Sequence, residues 1–255
     1  MKTLAVIPAR YASVRFPGKP LAMLRGKTML QRTWERTQAS PHVDQTIVAT
    51  DDERIAAAAR NFGAEVRLTR ADHPSGTDRV AEVAAQMQSD FEVVINVQGD
   101  EPFLRPEQLE LITRPFVDRY PPGISTLCER IETTAELFDP NVVKVVRCDQ
   151  GSALYFSRAP LPYQRDVPPD TWLDRQPYYR HVGLYAFHMP ALLQLTRLPV
   201  GELERCEKLE QLRWLAAGHK IAVRETTHRS VGVDTPEDLN YVLQNWNTLD
   251  DELTD

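Results

Sequence analysis

Cysteine is scarce in this chain and shows no pairing pattern. The three cysteines, Cys128, Cys148 and Cys206, are scattered and odd in number. No C-x-x-C spacing occurs, so neither a disulfide framework nor a zinc site is supported. Each reads as a small buried or half-buried side chain. Long apolar runs are missing too. None approaches the roughly 20 residues that span a bilayer, which argues against membrane insertion. The N-terminus enters a strand without a basic-then-apolar leader, so a cytoplasmic protein is expected. The common phosphate fingerprints G-x-x-x-x-G-K-[ST] and G-x-G-x-x-G are both absent, which counts against the usual ATPases, GTPases and nicotinamide enzymes. Positive charge is in short supply, with 30 Lys and Arg against 36 Asp and Glu and a formal net charge of −6. Nucleic-acid binding leans on a basic surface and is not expected. A small anionic substrate is compatible, because local charge decides there.

What is present is an ordinary globular composition. The 255 residues are 42% hydrophobic and 26% charged, enough for one large α/β domain with an elaboration. No internal repeat or low-complexity linker divides the chain. The first half alternates strand-like and helix-like segments: strand 3–8, helix 28–39, strand 45–50, a helix from Asp51-Asp52-Glu53 to Phe62, strand 65–69, helix 78–87 and strand 92–97. That rhythm implies a mostly parallel sheet covered on both faces. The second half is less regular. Strands are expected at 142–146, 153–156, 181–187 and 220–226, and helices at 203–217 and 236–246. A proline-rich excursion fills 160–177. The acidic tail 250–255 is expected to fray. A single domain over 1–255 is the best partition, with an elaboration over about 120–187.

Several constellations could carry chemistry. Leu4-Ala5-Val6-Ile7 runs into a loop bearing Arg10, Arg15 and Lys19, and a buried strand emptying into three cations suits a polyphosphate at the carboxyl end of a sheet. The bland alternative is a solvated basic turn. Asn96-Val97-Gln98-Gly99-Asp100-Glu101-Pro102 ends another strand. There Asp100 suits Mg²⁺ or a helix cap, and Gln98 offers a donor and an acceptor. In Val233-Asp234-Thr235-Pro236, Asp234 or Thr235 can cap a helix, or Asp234 can face Asp100 as a second metal ligand. His73-Pro74-Ser75-Gly76-Thr77-Asp78-Arg79 opens a helix with free amides and hydroxyls, fit for a cap or for a nucleotide base. Arg158 could clamp a carboxylate. His181 heads an apolar strand, where a structural histidine is the commoner outcome. Glu207 and Glu210, three residues apart, would share one helix face.

Taken together these stretches resemble the 3-deoxy-manno-octulosonate (Kdo) cytidylyltransferases. The resemblance rests on Pro8-Ala9-Arg10-Tyr11-Ala12-Ser13, Arg15-Phe16-Pro17-Gly18-Lys19-Pro20-Leu21, Arg70-Ala71-Asp72-His73 and Ser75-Gly76-Thr77-Asp78-Arg79. It continues through the Gln98 and Asp234 motifs, Ala153-Leu154-Tyr155-Phe156-Ser157-Arg158, Arg180-His181-Val182-Gly183 and Leu209-Glu210-Gln211-Leu212-Arg213. The resemblance implies a Rossmann-like nucleotidyltransferase fold with an inserted dimerisation sub-region, a homodimer, and Mg²⁺ as cofactor. It implies that CTP and Kdo give CMP-Kdo and pyrophosphate for lipopolysaccharide synthesis. Carried over, Arg10, Ser13 and Lys19 would meet the triphosphate. Ser75, Gly76, Thr77 and Arg79 would lie near cytosine and ribose, with Ala9 and Gln98 also on the nucleotide side. Arg10, Lys19 and Asp100 would be catalytic, and Asp100 and Asp234 would bind the metal. Arg158, His181, Glu210 and Gln211 would face the sugar acid. Gly201-Glu202-Leu203-Glu204 and Ser230-Val231 depart from the common pattern on that side. Amino-octulosonic and sialic acids therefore stay open as alternative substrates, as does a nucleotide-binding module without turnover.

Overall fold

The computed structural model describes residues 1–12 and 15–251. Ser13, one of the expected phosphate contacts, and the last four residues of the acidic tail lie outside the described residues. The chain opens with β1 (Thr3–Ala9), buried almost throughout. After the basic loop, β2 (Met23–Leu24) and β3 (Lys27–Thr28) form a small hairpin. Thr28 caps α1 (Met29–Gln38), its side chain accepting from the Gln31 amide at 3.1 Å. β4 (Gln45–Thr50) leads to α2 (Glu53–Asn61), capped by Asp52. β5 (Glu65–Leu68), α3 (Gly76–Ala85) and β6 (Val93–Asn96) complete the alternating half.

The second half adds α4 (Pro106–Thr113), β7 (Ile124–Arg130), α5 (Thr134–Phe138), β8 (Lys144–Arg147) and β9 (Ala153–Ser157). Then come α6 (Trp172–Arg175), β10 (Tyr179–His188), α7 (Met189–Leu195), α8 (Glu202–Glu207), α9 (Gln211–Ala216), β11 (Ile221–Glu225), α10 (Pro236–Gln244) and α11 (Trp246–Asp251). Among the described residues the main sheet has nine strands. Its order is β11-β7-β10-β6-β1-β4-β5, with β8 against β10 and β9 against β8. β6, β1, β4 and β5 are parallel, as are β7 and β11, while β10 runs antiparallel between β6 and β7. The mostly parallel sheet expected from the sequence is thus observed. The carboxyl ends of its parallel strands share one rim with the start of β10.

Alternation along β1 feeds two cores. Leu4 and Val6 join Val94, Phe187 and Trp214 on one face, and Ala5 and Ile7 join Val93, Ile95 and Leu127 on the other. Each fully buried Leu, Ile or Val contributes about 1.5–3 kcal/mol, so both faces anchor the rim. No helix among the described residues is long and apolar enough to cross a membrane.

Several expectations are corrected. The single helix expected over 203–217 is two, α8 and α9, broken where Lys208 takes a left-handed φ of 55°. Glu207 and Glu210 therefore do not share a helix face. The helix expected over 236–246 ends at Gln244, and α11 follows separately. β7 and α4 were not anticipated. Within 120–187, β7, β8, β9 and β10 are all strands of the nine-stranded sheet, and Ile131, Leu137, Trp172 and Tyr178 form a small cluster of their own.

Candidate active site

The basic loop leaves β1 at the rim and folds back on itself. The Gly18 amide donates to the Tyr11 carbonyl at 2.9 Å, and Gly18 sits at φ 72° with the Tyr11 ring against it. A side chain there would meet both the left-handed backbone cost and the ring. Arg54 covers Tyr11, its guanidinium 3.3 Å from the ring centroid. The loop so closed turns Lys19 inward, while Arg10 donates from Nη2 to the His73 carbonyl at 2.9 Å. Ala9 is buried at the end of β1 beneath them.

Lys19 Nζ lies 2.5 Å from Asp100 Oδ2 and 3.0 Å from Asp234 Oδ1. Two aspartates 134 positions apart in the chain thus converge on one ammonium. Two backbone devices make them converge. The Val233 amide donates to the Asp100 carbonyl at 3.1 Å, stitching the two loops directly. At Gly232 a Cβ would already stand 3.4 Å from Glu101 Oε1, so the missing side chain lets the strands of chain approach. Helix α10 is capped by Thr235, whose hydroxyl accepts from the Asp238 amide at 3.2 Å. Asp238 in turn accepts from the Asp234 and Thr235 amides. The cap is therefore supplied without Asp234, which leaves that carboxylate free to face Lys19. Further out, Glu129 and Arg180 clamp the strap that carries Asp234. Glu129 accepts from the Ser230 amide at 2.8 Å, and Arg180 donates to the Ser230 carbonyl at 2.8 Å.

The electrostatics follow from this crowding. Burial alone raises the Asp234 carboxyl, but the Lys19 hydrogen bond and charge, with Arg15 at 3.2 Å, outweigh it and hold the group below its usual range. Burial likewise opposes the Lys19 charge, and the two carboxylates more than offset it, so its pKa is raised. Glu101 lies among Asp100, Glu129 and Asp234. Burial first, then those charges, push its carboxyl up to about 8. Three carboxylates therefore crowd one side of this point of the rim, and Lys19, Arg15 and Arg180 are the cations that face them. Among the described residues no group of three or more His, Cys, Asp or Glu side chains gathers for a metal. Two carboxylates nevertheless fit Mg²⁺, which keeps water and substrate phosphate as its remaining ligands. Here the ammonium of Lys19 stands where the pair meets a cation.

The next segment of the rim is the start of α3. Ser75 caps it, accepting from the Asp78 amide at 3.1 Å. Its hydroxyl also lies 2.6 Å from Asp78 Oδ2 and 2.9 Å from Glu210 Oε1. Thr77 donates to Glu210 Oε2 at 2.6 Å. Cap and cluster coexist, and Glu210 joins the residues expected on the nucleotide side to those expected on the sugar side. Burial outweighs these bonds and raises the Glu210 carboxyl. Gly76 packs on Pro8, where a Cβ would sit 3.4 Å from the proline ring. Gln98 donates to Asn96 Oδ1 at 3.3 Å.

Arg79 points inward. Its side chain is 0% exposed and reaches Thr69 Oγ1, with Nη2 2.8 Å from Asp51 Oδ1. The guanidinium is thus enclosed beneath the start of α3 and paired with Asp51.

The residues expected on the sugar side are also tied in. Arg158 donates from Nε to the Glu207 carbonyl at 2.8 Å and from Nη1 to the Pro140 carbonyl at 2.9 Å. Its fork is thereby fixed at the end of β9. Glu207, the residue before the helix break, accepts from Ser157 and from the Arg158 amide. The His181 ring packs edge-on to Phe156 and bonds through Nε2 to Thr126 Oγ1 at 2.9 Å. Burial pushes its pKa down to about 3, so the ring is neutral near pH 7. Gln211 is buried in the first turn of α9. Sequence reasoning missed Glu101, Glu129 and Val233; only their nearness to the singled-out aspartates and to Arg180 marks them.

A parallel-rim α/β fold with two distant carboxylates meeting one cation beside a basic loop defines a nucleotide-handling transferase. A model of the cytidylyltransferase family matches residues 4–221. A 3-deoxy-manno-octulosonate cytidylyltransferase of Solibacter usitatus is 52% identical over 241 residues, covering 94% of this chain and 93% of its own. Another from Syntrophotalea carbinolica is 50% identical over 242 residues, covering 94% and 96%. Among solved structures, CMP:2-keto-3-deoxy-manno-octonic acid synthetase complexed with CTP superposes with a TM-score of 0.89 at 40% identity, covering 97% of this chain and 99% of its own. The chain belongs to the family of 3-deoxy-manno-octulosonate cytidylyltransferases.

Proposed function

We infer that this protein couples CTP to Kdo, giving CMP-Kdo and pyrophosphate for lipopolysaccharide synthesis in the cytoplasm. The observation that carries this reading is the meeting of Asp100 and Asp234 on Lys19 at the carboxyl rim, in a chain whose relatives carry that activity in their names. The anomeric oxygen of the sugar acid attacks the α-phosphorus, a new P–O bond forms, and the bond to the bridging oxygen breaks as pyrophosphate leaves. Such transfers ask for positioning and charge stabilisation, not a covalent nucleophile. Lys19 and Arg10 would offset triphosphate charge at the loop. Asp100 and Asp234 would hold Mg²⁺, which when bound neutralises phosphate charge and lowers the pKa of the attacking hydroxyl. Ser75, Thr77 and Gln98 would line the nucleotide side, and Glu210, Gln211, His181 and Arg158 the sugar side.

A homodimer belongs to the same reading. Phe138, Leu154 and Tyr163, all in or beside the β8–β9 elaboration, are exposed apolar side chains suited to a second copy. The test of function is pyrophosphate release with CTP, Mg²⁺ and a panel of ulosonic acids. Release with Kdo above the other acids is expected. Preference for an amino-octulosonic or sialic acid would reassign the substrate, and CTP binding without release would remove the enzyme.

A further inference from the structure

One apolar cluster draws on all three arms of the cation site. The arm of Lys19 contributes Phe16 and Leu24, on either side of the lysine in the chain. The arm of Asp100 contributes Phe103, and the arm of Asp234 contributes Val233. Leu24 and Val233 are 0% exposed and Phe103 is 4% exposed. Val242 of α10 and Trp246 of α11 complete the cluster.

Trp246 joins these arms to one another. Its ring lies 5.1 Å from the ring of Phe103, three residues beyond Asp100. The Arg32 guanidinium covers it at 4.2 Å from the centroid, close enough for cation–π attraction. Arg32 in turn donates to the Leu24 carbonyl at 2.7 Å and to the Arg25 carbonyl at 2.8 Å, at the turn of the β2–β3 hairpin that follows Lys19. Arg25 sits there at φ 45° and donates from Nη1 to Asn247 Oδ1 at 3.1 Å. Helix α11 therefore grips the hairpin twice, through Trp246 and through Asn247. The third arm is held through α10, whose first turn follows Asp234 and whose Val242 shares the cluster with Val233.

This packing matters because Mg²⁺ demands near-ideal octahedral geometry, while Asp100 and Asp234 both stand outside strands and helices. The Val233–Asp100 backbone bond ties those two arms to each other. The cluster ties both to the arm of Lys19. Isolated helices shorter than about 12 residues are marginal in water, so α11 (Trp246–Asp251) depends on the same contacts to stay folded.

We propose that α11 is a clasp on the cation site: Trp246 is a positioning residue that holds the arms of Lys19, Asp100 and Asp234 at the spacing a divalent ion needs, and binding of the ion and docking of α11 favour each other. This role rests on the reading above in which the two aspartates hold Mg²⁺ beside CTP. In Trp246→Ala the Mg²⁺ concentration for half-maximal pyrophosphate release should rise about tenfold, with the KM for the sugar acid within about twofold of the parent. Trp246→Phe keeps an aromatic ring near Phe103 and should recover most of that loss. Amide hydrogen exchange in the parent gives a readout without turnover: over residues 244–249 it should be about threefold slower or more with CTP and Mg²⁺ than with CTP and a chelator. A Mg²⁺ demand equal to the parent's in both variants would overturn the clasp, whatever the loss in Tm or kcat, because a purely structural tryptophan would lower those alone. Exchange indifferent to the metal would overturn it too, and decides the matter if neither variant folds. A parent with no release, or with release that needs no Mg²⁺, removes the functional reading and the clasp with it, whereas a Mg²⁺-dependent parent beside variants of unchanged Mg²⁺ demand removes the clasp alone.

Discussion

At the scale of the residue, Lys19 ties the site together. Its ammonium bridges two carboxylates that would otherwise repel. Lys19→Met should therefore lower Tm in metal-free buffer, and added Mg²⁺ should raise the variant's Tm more than the parent's, because the ion no longer competes with an ammonium. Equal shifts in the two proteins would speak against a shared cation site. Asp100→Asn should cost about 10²–10³-fold in kcat, or roughly 3–4 kcal/mol, with an unchanged far-ultraviolet circular dichroism spectrum. His181 gives a pH signature. Its folded pKa of about 3 lies below the ordinary 6.5. Below pH 6.5 the unfolded chain takes up a proton that the folded ring refuses, so stability falls with pH by up to about 1.4 kcal/mol per unit until the folded pKa is reached. His181→Gln should flatten that limb in urea titrations between pH 6.5 and about 4. An unaltered slope would show the ring titrating normally.

At the scale of the element, the start of α3 serves two masters. Ser75→Ala removes both the cap and a contact to Glu210, and should cost about 1 kcal/mol in denaturant unfolding while raising the KM for CTP. No change in either would release Ser75 from both roles. The alternating half was legible in the sequence because β1, β4 and β6 are short buried runs and the helix ends carry their own signals: Asp52 and Ser75 cap two helix starts, and Gly63, at φ 91°, follows the end of α2. The second half was not. β7 reads ISTLCER, an unremarkable mixture, yet six of its seven residues are buried because β10 and β11 flank it. The segment 203–217 keeps a helical pattern across Lys208, and only tertiary demands split it. Glu207 turns to Ser157 and Arg158 while Glu210 turns to Ser75 and Thr77, directions that one unbroken helix would not serve. That Lys19, Asp100 and Asp234 could meet was readable from their motifs. What was not readable was their bonding: Arg79 is spent inside the molecule, and Asp234 rather than Thr235 is free of the cap.

At the scale of the whole molecule, the sheet acts as a ruler that brings distant loops to one rim. β1, β6 and the strap after β11 deliver Lys19, Asp100 and Asp234 from opposite ends of the chain, and the Val233–Asp100 backbone bond fixes their spacing. A particle of two chains is expected in light scattering, with Leu154→Asp shifting it toward a single chain. A parent protein already of one-chain mass would contradict the homodimer. The most direct measurement of the central claim is pyrophosphate release from CTP and Kdo, followed with and without Mg²⁺ in the parent, Asp100→Asn and Asp234→Asn. Release is expected only from the parent and only with the metal, both variants falling by about 10²-fold or more. Full rates from either variant, or release undiminished by chelation, would contradict it.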